Sequence, residues 1–284
     1  MSPAGASLPI VLVPLGTDED ALDACLAALE SGTPAGTRVW LADDARAGPR
    51  AGAIIERWLA STRLQAAHTR RAAPIGDAAH IDQAVRACGG ADVAVLAGDA
   101  CPAPGWLERL SAGLAQDPAI ASATPWCNAG ETAAWPRIGE VVPLPAPPDR
   151  IARACARLAG EVADLPAAVG HAVLLRGEAL RQCGGIDGKS FGSWHAALVD
   201  LSLRLAGMGW RNVLGADAFV AREVEDLPAD GDMDALAARW PGWHARLATF
   251  LMQDPLQRVR ARLQRELAML DPPPPQADLF ASAP

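Results

Sequence analysis

The sequence predicts an α/β fold: an open, mostly parallel sheet flanked by helices, with further helices at the C-terminal end. Three observations lead to this prediction. Short apolar runs alternate four times with amphipathic stretches before about residue 120. Acidic residues directly follow two of these runs, at 43–44 and at 99. From residue 233 onward, the apolar spacing becomes that of helices alone.

The first half of the chain supplies the repeated strand-and-helix units. Residues 8–13 form a continuous apolar run typical of a buried strand, and Thr17 or Asp18 caps a helix that extends to Glu30. Further strands are predicted over 39–42, 64–67 and 93–96, and further helices over 51–60, 77–88 and from Pro104. Such units favour parallel strands with right-handed crossovers, and sheets of this kind bind ligands beyond the carboxyl ends of their strands.

The second half is less regular. Residues 125–165 are rich in Pro and Gly and are predicted to form loops around a helix at 151–158. Strands are predicted over 169–175, 212–214 and 218–221, and helices over 198–207, from Met233, over 243–252 and over 255–270. We therefore expect an α/β domain over 8–225, a helical extension over 226–270 and a disordered tail over 271–284.

Composition argues against several classes of protein. Half of the 284 residues are hydrophobic, enough for a sizeable core. The net charge of -8 and the single lysine, Lys189, argue against nucleic-acid binding, which needs clustered Lys and Arg. No pair of cysteines has the C-x-x-C spacing of a zinc or redox site. Without a signal sequence or a run of about 20 apolar residues, a cytoplasmic protein is expected, and the Ala, Gly and Arg content is typical of a GC-rich bacterial genome.

Seven segments of the sequence resemble, in the same order, the conserved blocks of family 2 glycosyltransferases. They are IVLVP (10–14), DD (43–44), LAGDACPAPGWLERL (96–110), ATPWCN (123–128), LPAAVG through GGID (165–187), VDLSLRL through GWRNV (199–213) and RWPGW through DPL (239–256). The resemblance covers about residues 8–260. It implies a GT-A fold, a nucleoside diphosphate sugar as donor, a hydroxyl on a glycan or lipid-linked acceptor, and a role in bacterial surface polysaccharide synthesis.

The resemblance also implies roles for individual residues. Asp43 and Asp44 resemble the acidic pair that contacts the nucleobase and ribose. Asp99 resembles the residue that binds the diphosphate and its Mg²⁺ or Mn²⁺, which would offset the charge of the leaving group. On the acceptor side, the residues expected to contact the ligand are Trp126, Asn128 and Trp194, with core packing as the alternative for the two indoles.

Three parts of the sequence depart from the family pattern where the chemistry depends on them: the metal-binding segment, the pair 197–198 and Arg222. The metal-binding segment keeps one carboxylate, Asp99, and Ala197 and Leu198 stand where the family has its catalytic acids. Arg222 stands where many members have a metal-binding histidine. A metal site is therefore weakened, and one hypothesis is that the Arg222 guanidinium binds the diphosphate directly, without metal. An arginine on the surface is the alternative interpretation.

Two functions stay open at this point. The first is a glycosyltransferase in which His195, three residues before Leu198, replaces the missing base; the alternative for His195 is a loop or capping residue. The second is a catalytically inactive homologue that binds a nucleotide, a glycan or a partner enzyme. The basic amphipathic stretch 255–270 is interpreted either as a helix packed on the domain or as a peripheral contact with a membrane or partner.

Overall fold

The computed structural model describes residues 8–224 and 227–270. The strands are β1 (Ile10–Pro14), β2 (Arg38–Asp43), β3 (Gln65–Arg70), β4 (Val93–Leu96), β5 (Cys101–Pro102), β6 (Ile120–Trp126), β7 (Val162–Asp164), β8 (Ala172–Leu175) and β9 (Arg211–Ala221). The helices are α1 (Glu19–Gly32), α2 (Ala51–Leu59), α3 (Asp77–Ala87), α4 (Trp106–Gln116), α5 (Pro148–Cys155), α6 (Gly177–Gln182), α7 (Trp194–Gly207), α8 (Asp232–Arg239), α9 (Trp243–Gln253) and α10 (Gln257–Met269). The predicted tail at 271–284 lies outside the described residues.

The strands form one open, mixed sheet with the order β3-β2-β1-β4-β8-β6-β9-β5, and β7 pairs with β9. β1 to β4 are parallel to one another, as the alternating pattern predicts. β8 runs antiparallel to both of its neighbours, β4 and β6, whereas β6 and β9 are parallel. The predicted open α/β sheet is confirmed, with an antiparallel strand at its centre that the sequence pattern did not reveal.

Helix α1 shows how local sequence fixes an element. The Asp18 carboxylate accepts hydrogen bonds from the backbone N–H groups of Asp20 (3.1 Å) and Ala21 (3.0 Å), which have no partner within the helix. Of the two predicted caps, the structure therefore uses Asp18. The apolar face of the helix is buried as expected, at Leu22, Cys25, Leu26 and Leu29.

The sheet separates two apolar cores. Val11 and Val13 of β1 pack with α1, α2 and α4, whereas Leu12 between them points to the opposite face and packs with α3 and α7. A third core fills the space between β9 and helices α5 and α10. Because both faces of β1 are buried, its sequence is a continuous apolar run rather than an alternating one.

Helix α10 lies against α5 and buries Leu263 and Leu267. Arg260 is buried in the same interface, where its Nε donates to the Ala134 carbonyl (2.9 Å) and its guanidinium lies 5.6 Å from the centre of the Trp126 ring. The packed interpretation of 255–270 is thus confirmed for its apolar face, which is not available to a membrane. Within the described part of the chain, no helix is both long and apolar enough to cross a bilayer.

Three predicted boundaries were wrong. The two strands predicted around Gly215 are one strand, β9. Its register against β6 shifts between Pro125 and Trp126, and the sequence pattern predicted this irregular stretch as a gap between two strands. β6 continues into the region predicted to be loops. Helix α7 begins at Trp194 rather than 198, because the Ser193 hydroxyl caps it by accepting from the Ala196 N–H (3.2 Å).

Candidate functional site

Two cavities adjoin at the carboxyl edge of the sheet. The first, here called the strand-end cavity, has a volume of about 240 Å³ and is lined by residues 14–18, 97–99, Arg46, Asp77, Ile81, Val95, Gly170, Trp194 and Arg222. The second, here called the outer cavity, measures about 320 Å³ and lies between residues 129–132, 166–171, 222, 224 and 227–228 and helices α7, α8 and α9. Gly170 and Arg222 line both cavities, so the two meet there.

The backbone turns at Gly98 and Asp99, close to the end of β1, and this turn forms part of the wall of the strand-end cavity. An ideal Cβ at Gly98 would lie 2.7 Å from the Pro14 carbonyl oxygen, so a larger residue would push the two segments apart. The chain then enters β5, whose Cys101 pairs with Ala221 at the end of β9. This pairing brings Asp99, which precedes β5, next to Arg222, which follows β9.

Asp99 and Arg222 form a bidentate ion pair. Arg222 Nε lies 2.7 Å from Asp99 Oδ1, and Arg222 Nη2 lies 3.1 Å from Oδ2. The arginine side chain is 9% exposed and the aspartate side chain 25%. The Arg222 backbone N–H also donates to Asn128 Oδ1 (2.9 Å), and this hydrogen bond fixes the backbone at Arg222. Arg222 therefore lies in the wall of the cavity rather than on an open surface, and its contact with a diphosphate stays a prediction.

The residues around Asp99 do not fit a divalent cation. Mg²⁺ and Mn²⁺ sites need several oxygen ligands, mostly carboxylates. Both oxygens of Asp99 accept from the Arg222 guanidinium. In the part of the chain that the structure describes, no three His, Cys, Asp or Glu side chains are grouped so that they could hold a metal ion. The guanidinium thus supplies positive charge next to Asp99, the residue that the resemblance predicted to bind a metal.

Asp43 and Asp44 lie at the predicted strand end, but both carboxylates have internal partners. Asp43 accepts from the N–H groups of Arg46 (2.9 Å) and Ala47 (3.2 Å) and pairs with Arg70 (2.7 Å). Asp44 accepts from the N–H groups of residues 75–76 at 2.9–3.0 Å, just before α3. Among the described residues, those lining the two cavities include neither aspartate. Their contact with a nucleotide stays a prediction.

The three residues predicted to bind an acceptor have different positions. Trp126 is fully buried beneath Arg260, so its predicted stacking on an acceptor is wrong, because no face of the indole is open. Asn128 is also buried; its Nδ2 donates to the Val142 carbonyl (2.9 Å), and its Oδ1 accepts from Arg222, so it positions the arginine rather than a ligand. Trp194 lines the strand-end cavity and stays a candidate.

Helix α7 presents its first turns to the outer cavity. His195 and Leu198 both line that cavity, as expected for residues three apart on one helical face. Leu198, which the resemblance aligns with the family's base, is buried, and its side chain cannot accept a proton. His244 of α9 lines the same cavity. Sequence reasoning missed His244, because no spacing in the chain shows that α9 lines the same cavity as α7.

The start of α7 is held by a carboxylate from a distant segment. Asp232 accepts from the N–H groups of Gly192 (2.9 Å), Ser193 (2.9 Å) and Ala229 (3.1 Å), and from the Ser193 hydroxyl. Burial by itself would raise the pKa of Asp232, but these four hydrogen bonds outweigh it and lower that pKa below its ordinary value. The ionised form is therefore the one that stabilises the fold and positions Trp194 and His195.

Replacing Asp232 with asparagine should lower the free energy of unfolding by about 1–3 kcal/mol at pH 7, the usual cost of losing charge-assisted hydrogen bonds. Because the folded-state pKa is depressed, this stabilisation is present above the unfolded pKa of about 3.9 and is lost as the pH falls through the folded value. Urea denaturation from pH 7 to pH 3 measures it. A difference between wild type and variant that does not shrink below about pH 4 would contradict the assignment.

Known structures of glycosyltransferases share this fold, which is therefore the GT-A fold. The mannosyltransferase PcManGT from Pyrobaculum calidifontis, in complex with GDP-Man and Mn²⁺, aligns with a TM-score of 0.58 over 92% of this chain and 75% of that chain, at 18% identity. GalNAc-T7 with UDP, GalNAc and Mn²⁺ aligns with a TM-score of 0.62 over 92% of this chain and 56% of that chain, at 13% identity. TarS 1-349 of S. aureus with UDP-GlcNAc aligns with a TM-score of 0.53 over 76% of this chain and 58% of that chain, at 13% identity.

The sequence then assigns the family. The sequence model of Glycosyl transferase family 2 matches residues 10–180, more than half of the chain, and the chain belongs to this family. No curated protein matches the sequence. The chain spans little more than half the length of the GalNAc-T7 and TarS chains, and at these identities the structural likeness concerns the fold. The resemblance in the sequence and the predicted GT-A fold are both confirmed.

Proposed function

We propose that this chain is a catalytically inactive homologue of family 2 glycosyltransferases that binds a nucleoside diphosphate, free or as its sugar derivative, without a divalent cation. The Asp99–Arg222 ion pair in the wall of the strand-end cavity carries this proposal. Arginine is well suited to the role, since its planar fork matches phosphate oxygens and stays charged at any physiological pH. In the mannosyltransferase and GalNAc-T7 structures, by contrast, Mn²⁺ accompanies the nucleotide or nucleotide sugar.

The charge of the cavity predicts weak binding. Its described lining residues include the carboxylates of Asp18, Asp77 and Asp99 and the guanidiniums of Arg46 and Arg222. Arg46 pairs with Asp77, just as Arg222 pairs with Asp99. A diphosphate must therefore compete with two carboxylates for these arginines, and the competition lowers its affinity.

The acceptor side supports the absence of turnover. A general base typically contributes about 10²–10⁴-fold to the rate, and a buried leucine, Leu198, occupies the position of that base. The metal ion that offsets leaving-group charge has lost its ligands as well. With both contributions removed, we propose that the chain acts as an accessory protein beside an active enzyme. Its second ligand would be a glycan or lipid-linked molecule from surface polysaccharide synthesis.

One observation favours a second candidate, a metal-independent transferase. His195 lines the outer cavity one turn before Leu198, so an imidazole is available at the right side of the cavity to accept a proton from an acceptor hydroxyl. Under this alternative, replacing His195 with alanine abolishes transfer and leaves nucleotide affinity unchanged.

Calorimetry with UDP, GDP, CDP, ADP and dTDP, each with Mn²⁺ and with EDTA, tests the proposal. At least one of them should bind, with an affinity that differs less than twofold between the two conditions. The matching sugar nucleotides should show neither transfer nor hydrolysis. Binding that requires Mn²⁺, or no binding by any of the five, would contradict the proposal. Turnover that disappears in His195→Ala would establish the transferase instead.

A further inference from the structure

A third cavity, here called the cationic cavity, lies on the opposite face of α3 from the strand-end cavity. Asp77 and Ile81 line the strand-end cavity, whereas the α3 residues that line this one are 79, 82, 83 and 86, on the other side of the helix. The cavity has a volume of about 440 Å³, and in the described part of the chain it shares no lining residue with the other two. Its uncharged lining consists of Gln83 and small or apolar residues, and its charged lining consists of Asp82, Arg86, Asp187, Lys189, Arg204 and Arg239.

The charged lining carries an excess of cations. They outnumber the carboxylates by four to two, although the whole chain has a net charge of -8. One of the four is Lys189, the single lysine of the chain. A third carboxylate, Asp200, pairs with Arg204 and Arg239, but it is fully buried and lies outside the lining. Four cations against three carboxylates leave a net positive charge, so the cavity attracts an anion.

Two of the four cations have donors available to a ligand. Within the described residues, the Lys189 ammonium forms neither a hydrogen bond nor an ion pair, although Asp230 and Asp232 line the neighbouring recess that Lys189 also borders. Arg86 donates through Nε to both oxygens of Asp82 at 2.9–3.0 Å and through Nη2 to a backbone carbonyl (2.9 Å). Its Nη1 has no acceptor in the described part of the chain. An ammonium and a guanidinium both form charge-assisted hydrogen bonds to phosphate oxygens.

The other two cations are held in place without a ligand. Arg204 donates to the backbone carbonyls of Cys183 and Gly185, both at 2.8 Å. Arg239 donates to Asp187 (2.8 Å) from the far side of the cavity mouth. Both side chains stay partly exposed, at 24% and 37%. Since these arginines are already ordered, a ligand that reaches them loses less conformational entropy on binding than it would at mobile side chains.

A phosphate group matches this lining better than a carboxylate does. A phosphomonoester carries nearly two negative charges at pH 7 and three acceptor oxygens, enough to accept from Arg86 and Lys189 together. A carboxylate offers one charge and two oxygens. The volume of about 440 Å³ also leaves room for a small organic group attached to the phosphate. Because Ala79 and Ile186 are the only apolar side chains among the described lining residues, that group is expected to be polar.

We propose that the cationic cavity binds a phosphate group, either free or as the monoester of a small polar molecule. Arg86 and Lys189 contact the phosphate, and Arg204 and Arg239 add electrostatic attraction. The carboxylates of the lining oppose this attraction, so the binding is weak and depends on ionic strength. The site goes beyond the proposed nucleotide binding, and it does not depend on whether the strand-end cavity is filled.

Calorimetry at low ionic strength, with glycerol 3-phosphate and inorganic phosphate as probes and glycerol as the uncharged match, tests the proposal. Lys189→Ala should weaken phosphate binding about three- to tenfold, the range for an exposed charge-assisted hydrogen bond. The fold should persist, because Lys189 is exposed and has no partner among the described residues. Lys189→Arg, which keeps the positive charge, should bind more tightly than Lys189→Ala. Arg181→Ala is the matched control, since it removes the same charge from the exposed surface of α6, outside the lining.

Failure of both phosphates to bind, or equal losses in Lys189→Ala and Arg181→Ala, would overturn the proposal. A loss confined to Arg222→Ala would overturn it as well, because the phosphate would then lie in the strand-end cavity. Tighter binding of glycerol 3-phosphate than of inorganic phosphate would support a monoester as the ligand, and similar affinities would support free phosphate. The nucleotide titrations are independent: phosphate binding that depends on Lys189, without any nucleotide binding, would contradict the proposed function alone.

Discussion

Replacing Asp200 with alanine should lower the free energy of unfolding by about 3 kcal/mol, toward the lower end of the cost of breaking a buried ion pair. Asp200 is fully buried in α7, where it accepts from Arg204 Nε (2.8 Å), Arg239 Nη1 (3.0 Å) and Trp240 Nε1 (3.0 Å). The loss of unfolding free energy should stay below the upper end of that range, because both arginines are partly exposed and Arg239 keeps its contact with Asp187 (2.8 Å).

Urea denaturation at pH 7 measures this effect. Asp23→Ala is the matched control, since Asp23 pairs with Arg57 on the surface and both side chains are more than half exposed. The control should change the free energy of unfolding by less than about 1 kcal/mol. A similar small loss in Asp200→Ala would show that α8 is not held to α7 through this carboxylate. These contacts give Asp200 a structural role, which is to hold α7 to α8 and Trp240.

Replacing Arg222 with alanine should weaken nucleoside diphosphate binding about 10- to 100-fold, the range expected for losing charge-assisted hydrogen bonds to phosphate. The loss has two causes. The variant removes the cation and leaves Asp99, which the guanidinium now neutralises, to repel the diphosphate. Calorimetry with the nucleotide that the wild type binds best measures the effect. Arg258→Ala is the matched control, because it removes the same charge from the exposed face of α10.

A companion variant separates the role of the cation from that of the arginine. Arg222→His places an imidazole next to Asp99 and gives the site two groups that can ligate a metal. Nucleotide binding by this variant should become stronger when Mn²⁺ is added, whereas binding by the wild type should not respond. Full nucleotide affinity in Arg222→Ala would show that Arg222 does not contribute to binding. An equal loss of affinity in Arg258→Ala would show only a general effect of net charge.

The elements that could be predicted are those set by local sequence. The helix after β1 follows from the Asp18 cap and from apolar residues at helical spacing, and both are present in a stretch of 15 residues. The beginning of α7 could not be placed in this way. Its cap Ser193 is fixed by Asp232, 39 residues further along the chain, and no local pattern contains that information.

The site residues divide along the same line. Residue type and strand-end position selected Asp99 as a candidate, whereas Arg222 was selected because the resemblance places a metal-binding histidine there. A position near the predicted site loops selected Trp126, which the structure buries beneath Arg260 of α10. Strand-end position indicates which segments lie near a cavity, but it does not show which side chains other parts of the chain will cover.

By itself, the sequence determined the alternating α/β architecture and the family to which the chain belongs. Those features depend on residue order and residue type alone. Only the tertiary structure decided that Arg222 neutralises Asp99 and that an apolar cavity lies beside this pair. The two side chains are 123 residues apart, and they meet because β5 pairs with the end of β9, a long-range hydrogen-bonding pattern that no local sequence signal records.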